Sequence, residues 1–463
     1  MNDQLTKSTA LTLATTSSFT TPFLMSSINV ALPSIGRVLE MHAVTLSWVA
    51  MSYVLSSVVF LVPFGRLADI HGRKKMLLWG YVIFTIANLA CGLSTGAFIL
   101  ILFRIIQGIG SAMVFATSMA IIVSVFPPKE RGRALGITVA AVYFGLSAGP
   151  FLGGLITEHL SWRGVFLVNV PLGIIIIFLT VFRLKGEWAE AKGEKFDLIG
   201  SLIYGIGLVA LIYGLTLLPT LKGACLIIIG FIGILFFIRW VGRVQNPIFD
   251  LRLFRQNRVF AFSNLTALIN YSATSGVAFL LSLYLQHIKA LSPQDAGLIL
   301  IAQPIVQTVF SPFSGMLSDR IEPRIVASTG MTFTTFGLFL FIFLRETSGY
   351  SFIIPTLVIL GFGFALFSSP NTNAVMSSVE RRFLGLASGS LGTMRMTGSM
   401  ISMGIATLLI TLFIGKLQIT PETHIAFMKV IKTAFVIFTV LCFGGIFASL
   451  VRGRLRSEEV KKK

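Results

Sequence analysis

Asp69 stands in the stretch Gly65-Arg66-Leu67-Ala68-Asp69-Ile70-His71-Gly72-Arg73-Lys74, a lone carboxylate between two glycines with basic residues around it. A carboxylate at a helix end can cap a neighbouring helix N-terminus, where the macrodipole is positive, and can pair with Arg73. Glycines on either side let backbones approach closely. This is the chemistry of a contact made in one state of a protein and broken in another. The stretch recurs 250 residues later as Gly315-Met316-Leu317-Ser318-Asp319-Arg320-Ile321-Glu322-Pro323-Arg324, where Glu322 replaces the second glycine. Gly65, Asp69, Gly72 and Arg73 are therefore expected to form a conformational latch, with Asp319 and Arg320 as its degraded second copy. The plainer alternative is a solvated loop that only sets topology.

Two further charges sit inside apolar stretches. Arg104 precedes Gln107 and Gly108 by one turn, and Arg395 follows a run rich in Gly, Ser and Thr. A charge within a membrane span costs about 2.5–3.5 kcal/mol on insertion scales, so each needs partners or water. Arg104 is expected to work with Gln107 rather than to snorkel outward. For Arg395, a structural role against backbone carbonyls and a cavity role stand equal. Gly145, Gly149, Pro150, Gly153 and Gly154 mark one bendable helix, because Pro150 removes a backbone donor and glycines four apart give a flat packing face. Asn29, Asn270, Gln303 and Asn371 are the uncharged polar residues expected, with Arg395, to line a cavity, since Asn and Gln are costly in lipid. No nucleophile–base pair, metal spacing or phosphate-cradling loop is visible, so neither an enzyme nor a cofactor is expected. Cys91, Cys225 and Cys442 are far apart and suggest no disulfide framework.

The elements that must position these residues follow from composition. Of 463 residues 55% are hydrophobic and 12% charged, with mean hydropathy +0.87. An average soluble domain carries about twice that charged fraction, so a water-soluble protein is excluded. Apolar stretches recur at 10–33, 46–65, 76–95, 97–125, 133–157, 164–184, 197–218, 223–243, 259–285, 293–314, 325–345, 351–377, 384–415 and 429–451. Each is near the spanning length, and only helices satisfy their own backbones in lipid. The expectation is an all-α integral membrane protein with fourteen transmembrane helices. With both termini on one side, 27 of the 37 Lys and Arg fall on that side and 8 on the other, which predicts an N-in, C-in orientation. The net charge of +19 is then mostly topology, and no nucleic-acid partner is expected. Six spans repeat six spans around two extra ones. The expected division is 1–184 and 259–451 as six-helix bundles, 185–258 as the inserted pair with its linker, and 452–463 as a basic cytoplasmic tail. Duplicated halves around a midplane site are the mark of secondary transporters.

Gly65-x-Leu67-Ala68-Asp69-x-x-Gly72-Arg73-Lys74 resembles the loop signature of the major facilitator superfamily. Arg104-x-x-Gln107-Gly108 resembles its fourth-helix motif, and Gly145-x-x-x-Gly149-Pro150-x-x-Gly153-Gly154 the fifth-helix motif associated with antiporters. Asn29-Val30-Ala31-Leu32-Pro33, Trp162-Arg163, Asn169-Val170-Pro171 and the two inserted helices resemble the fourteen-span drug–proton antiporter subfamily. The resemblance implies a major facilitator fold of 6+2+6 helices in the cell membrane. It implies a multidrug-type exporter of small amphipathic compounds, working by alternating access within the lipid bilayer, with protons as coupling ion. One position departs from the pattern: Leu24 stands where that subfamily carries an acid. None of the 18 acidic residues lies well inside a span, which leaves rim carboxylates such as Asp69, Glu158 or Asp197 for any proton coupling. Two interior arginines without an interior carboxylate favour neutral or anionic cargo over organic cations. Uptake or facilitated transport of an anionic metabolite on the same fold, and a non-transporting membrane sensor or scaffold, remain as alternatives.

Overall fold

A computed structural model describes residues 2–41, 43–217, 220–249, 251–415 and 423–453. Among the described residues all regular structure is helical. The first six spans of the sequence are formed by α1 (Asn2–Val38), α2 (Ala43–His71), α3 (Arg73–Gly92), α4 (Ala97–Val125), α5 (Pro128–Leu160) and the pair α6 (Trp162–Leu167) and α7 (Asn169–Phe182). The inserted pair is α8 (Leu198–Thr216) and α9 (Leu221–Val241), followed by the short α10 (Leu251–Gln256). The last six spans are α11 (Arg258–Leu283), the pair α12 (Pro293–Leu300) and α13 (Ala302–Arg320), α14 (Pro323–Phe341), α15 (Tyr350–Ser377), α16 (Leu384–Phe413) and α17 (His424–Val451). The two split spans have one cause. Pro171 and Pro304 lack the N–H that would pair with the carbonyl four residues back, and α6 and α12 end at those residues, Leu167 and Leu300.

All fourteen apolar stretches are helical, but twelve helices, not fourteen, are long and apolar enough to cross a membrane among the described residues. The two helices outside that set are α1 and α8. Helix α1 is dense in Ser and Thr, whose hydroxyls donate back to its own carbonyls, as from Thr9 to Leu5 (2.8 Å) and Ser17 to Leu13 (2.6 Å). Its length is ample and its apolarity is not. Helix α8 has 19 residues, as many as α14, and is apolar over Leu198–Gly214.

The chain divides into two compact units, Met1–Gly205 with Phe237–Leu251 and Val379–Thr393, and Ile206–Phe236 with Arg252–Ser378 and Met394–Lys463. These cut across the four stretches drawn from the sequence, because the first unit takes in the start of α16. Of the basic tail, 454–463 lies outside the described residues. The core of the first unit is built on Leu24, Ile28, Tyr53, Tyr81, Phe84, Trp162 and Phe166. That of the second is built on Leu280, Tyr284, Met331, Phe341, Phe427, Phe435 and Phe438. Large apolar side chains such as Trp79, Phe98, Phe178 and Phe182 in the first unit and Phe313, Phe343 and Phe447 in the second are exposed, as lipid-facing residues must be.

The sequence repeat is also a repeat of packing. In the first unit the backbones at Gly80 and Gly110 meet so closely that a Cβ on Gly110 would lie 2.8 Å from the Gly80 carbonyl oxygen. In the second, a Cβ on Gly363 would lie 2.8 Å from that of Gly330. Both contacts join the third and fourth spans of a half.

Candidate functional site

Helix α2 ends at His71 and α3 begins at Arg73, with Gly72 between them at φ 113°, a conformation that only glycine adopts without strain. This sharp junction places Asp69 and Arg73, four residues apart, side by side and fully buried. Oδ1 of Asp69 accepts from Arg73 Nη2 (2.7 Å) and Nε (3.1 Å) and from the backbone N–H of Gly385 (2.9 Å). Oδ2 accepts from the N–H of Leu386 (3.0 Å). Gly385 and Leu386 lie in the first turn of α16, whose N–H groups have no partner within the helix. The carboxylate therefore caps, from α2, a helix of the second sequence half. Close approach permits it: Gly65 sits against Gly385, and a Cβ on either would collide with the carbonyl oxygen of the other. Arg73 donates onward to Ser124 Oγ on α4 (2.8 Å) and to the Arg381 carbonyl, and pairs with Glu190 (3.1 Å). Arg66, also buried, pairs with Glu194.

The four residues expected to form the latch thus converge. The second copy differs in burial. Asp319 is half-buried and Arg320 exposed, and neighbouring Ser318 accepts from Asn373 Nδ2 (3.0 Å).

Arg104 is 1% exposed, which excludes snorkelling. Its guanidinium donates to the Val49 carbonyl (2.7 Å) and to Gln107 Oε1, and lies 4.3 Å from the centre of the Tyr53 ring. Gln107 in turn donates to Asn88 Oδ1 (2.8 Å). The arginine and glutamine meet as expected, in a chain of hydrogen bonds with no carboxylate. Gly108 packs on the Tyr53 carbonyl.

The glycine face of α5 is covered by α1. A Cβ on Gly145, Gly149 or Gly153 would lie 2.6 Å from Phe19 O, Ser26 Cβ or Ser27 Cβ respectively, whereas Gly154 has room. Pro150 leaves the Leu146 carbonyl without its helical donor, and the Ser26 hydroxyl of α1 donates to it (3.0 Å). Ser27 donates to the Gly149 carbonyl (2.9 Å). The stretch of α5 around Pro150 is therefore stitched to α1, a pairing that the sequence shows only as two serines within a polar run.

The expected cavity residues part company. Asn29 is exposed and Gln303 half-buried. Asn371 is buried but engaged: its Nδ2 donates to the Ser263 carbonyl (3.1 Å) and its Oδ1 accepts from Arg452 (2.9 Å). Asn270 is fully buried and neither amide atom has a hydrogen-bond partner. Arg395 donates to Thr372 Oγ1 and stands 5.7 Å from the centre of the Tyr271 ring, with its Nε unpartnered. The buried hydroxyls of Ser368, Ser369 and Thr397 in the same unit are likewise unpartnered. Leu24 is fully buried among apolar residues, and Glu158 is exposed. Asp197 caps α8 through the Gly200 N–H (2.8 Å).

Arg452 escaped sequence reasoning because it reads as the first charge of a basic tail. It is 1% exposed and donates to Asn371, to Ser263 Oγ (3.3 Å) and to the Pro323 carbonyl (2.7 Å). Burial pushes its guanidinium down to about 9, with Glu322 opposing and Arg324 reinforcing the shift. The signal available in sequence was its position one residue beyond the last apolar span.

Comparison with known proteins accords with this geometry. The chain is 31% identical to the riboflavin transporter RibZ of Clostridioides difficile over 80% of its own length and 81% of that protein. It is 32% identical to the multidrug resistance protein Stp of Mycobacterium tuberculosis over 86% and 74%. Its fold matches the human organic anion transporter MFSD10 with a TM-score of 0.68, at 13% identity, over 96% of this chain and 99% of that one. Residues 14–260 and 263–463 match the Major Facilitator Superfamily, and the chain belongs to that family of membrane transporters.

Proposed function

We propose that this protein is a secondary active exporter of small amphipathic compounds in the cell membrane, working by alternating access, with the Asp69 network as the latch of one state. The observation that carries this reading is the Asp69 carboxylate, buried at the end of α2 and capping the first turn of α16 while held by Arg73. A static scaffold has no use for a buried, ion-paired carboxylate that caps a helix of the opposite sequence half. A transporter needs such a contact, strong when made and cleanly broken. Similarity to a multidrug resistance protein supports export.

Helices α1 and α8 complete fourteen spans in this reading. Helix α1 covers the glycine face of the spanning α5 and so runs beside it through the bilayer, where its hydroxyls are satisfied by backbone carbonyls. The 27-to-8 distribution of basic residues then sets both termini, and the latch, in the cytoplasm.

The cargo is neutral or anionic. Arg104 in the first unit and Arg395 in the second each lie within a span with no carboxylate paired to it among the described residues, so a cation entering the field of either is repelled. Asn270 and Arg395 Nε are the unpartnered buried groups best suited to meet a polar function on the cargo. Similarity to a riboflavin transporter fits cargo of this kind. Proton antiport in this reading runs through Asp69, since Glu158 is exposed and Asp197 is committed to α8.

Accumulation of fluorescent amphipathic probes in inside-out vesicles tests the reading. Neutral and anionic probes are expected to accumulate, and Asp69→Asn to abolish accumulation while expression is intact. Accumulation of cationic probes alone, driven by a pH gradient, overturns the cargo assignment; normal transport by Asp69→Asn overturns the latch.

A further inference from the structure

The charges of the latch do not balance within the motif that forms it. Arg66 and Arg73 are both buried, and Asp69 is the one buried carboxylate among them. An uncompensated buried charge is strongly destabilising. The missing negative charge comes from the linker after α7. Glu190 pairs with Arg73 and Glu194 with Arg66, whose Nε and Nη1 have no hydrogen-bond partner.

The same linker is bonded to the latch along its backbone. The N–H of Arg73 donates to the Trp188 carbonyl (3.0 Å), and the N–H of Ala191 donates to the carbonyl of Asp69 itself (3.0 Å). Glu187 caps α3, accepting from the N–H groups of Lys74 (2.9 Å) and Lys75 (3.2 Å), and Lys74 Nζ donates to the Leu184 carbonyl (2.6 Å). Leu184 and Ala191 are buried. The segment ends on Asp197, which caps α8 and accepts from Trp240 Nε1 on α9 (3.2 Å). It therefore joins the latch to the inserted helix pair.

We propose that residues 184–197 are a strap belonging to the latch, in which Glu190 and Glu194 position Arg73 and Arg66 and set how long the latch stays closed. The strap holds the guanidinium that holds Asp69, so loss of a strap carboxylate loosens the cap on α16 without touching the cap. This rests on the latch reading above and extends it to a segment that carries no family motif.

Ser388 reports latch opening. It lies one turn into α16, buried, with its hydroxyl donating to the Phe115 carbonyl (3.0 Å). Ser388→Cys is introduced in a Cys225→Ser background, which removes the one exposed native thiol among the described residues. Labelling by a membrane-impermeant maleimide is then followed in inside-out vesicles carrying the full chain, with expression and monodispersity checked for every variant. Glu190→Gln and Glu194→Gln are each expected to raise the labelling rate about fivefold, and Glu190→Asp to leave it near wild type. Asp69→Asn serves as the positive control. A rise with Asp69→Asn but none with either glutamine variant overturns the strap and leaves the latch standing. Equal labelling of Glu190→Asp and Glu190→Gln overturns the role of the charge. No rise in any variant, Asp69→Asn included, overturns the latch and the strap together.

Discussion

Adding a single methyl group at Gly65 tests the latch without altering any charge. In Gly65→Ala the new Cβ would collide with the Gly385 carbonyl, backbone against backbone, with no side chain able to rotate away. Ordinary contact requires α2 and the start of α16 to separate by about 1 Å. The bonds from Gly385 and Leu386 to Asp69, now 2.9 and 3.0 Å, would stretch beyond hydrogen-bonding range. Each is a bond to a charged acceptor, worth about 1.5–3 kcal/mol. Losing both costs about 3 kcal/mol or more, which shifts the balance between latched and unlatched states by about 100-fold. Transport in proteoliposomes should fall at least tenfold, with the protein still monodisperse. Gly404→Ala is the control, because nothing lies within 4 Å of a Cβ there. Wild-type transport by Gly65→Ala would refute the reasoning, since the close approach would then have no bearing on the cycle.

Three other outcomes follow from named contacts. Arg452→Ala strands the Asn371 acceptor and the Pro323 carbonyl and should lower thermal stability by about 3 kcal/mol, read as a drop in unfolding temperature; below pH about 9 both folded and unfolded chains hold the Arg452 proton, so this group adds no pH dependence to wild-type stability near neutrality. Ser26→Ala should destabilise by about 1 kcal/mol in the wild-type chain and by much less in Pro150→Ala, where the restored N–H serves the Leu146 carbonyl; equal losses in both backgrounds, in a thermal-melt double-mutant cycle, would break the pairing. Asn270→Leu removes two unpartnered polar atoms, so it should raise the melting temperature while weakening cargo binding severalfold in an equilibrium binding assay; unchanged binding removes Asn270 from the cargo site.

The helices were legible because hydropathy alone determines which stretches can enter lipid. The two split spans were foreshadowed by Pro171 and Pro304. Helix α1 was the hard case: the stretch 10–33 reads as a span, yet its many Ser and Thr keep α1 below the apolarity of the other spans, although hydroxyls such as those of Thr9 and Ser17 are spent on carbonyls. At the site, Asp69, Arg73, Arg104 and Gln107 were legible from spacing, since each partner lies within one helical turn of the other. Partners supplied from far along the chain were not. Nothing local to Glu190 or Arg452 distinguishes them from solvated charges, and Asn371 looked like a cavity residue because its partner lies 81 positions away. The imbalance of three basic residues, Arg66, Arg73 and Lys74, to one acid inside the first motif was the clue to Glu190 and Glu194.

Counterflow in proteoliposomes tests the central claim most directly, because it reports alternating access whether or not a gradient drives it. Vesicles loaded with an unlabelled neutral or anionic amphipath should take up the labelled compound transiently above equilibrium, and vesicles carrying Asp69→Asn should not. Uptake no faster than in protein-free vesicles across cationic, neutral and anionic compounds, or equal overshoot with Asp69→Asn, would contradict the account.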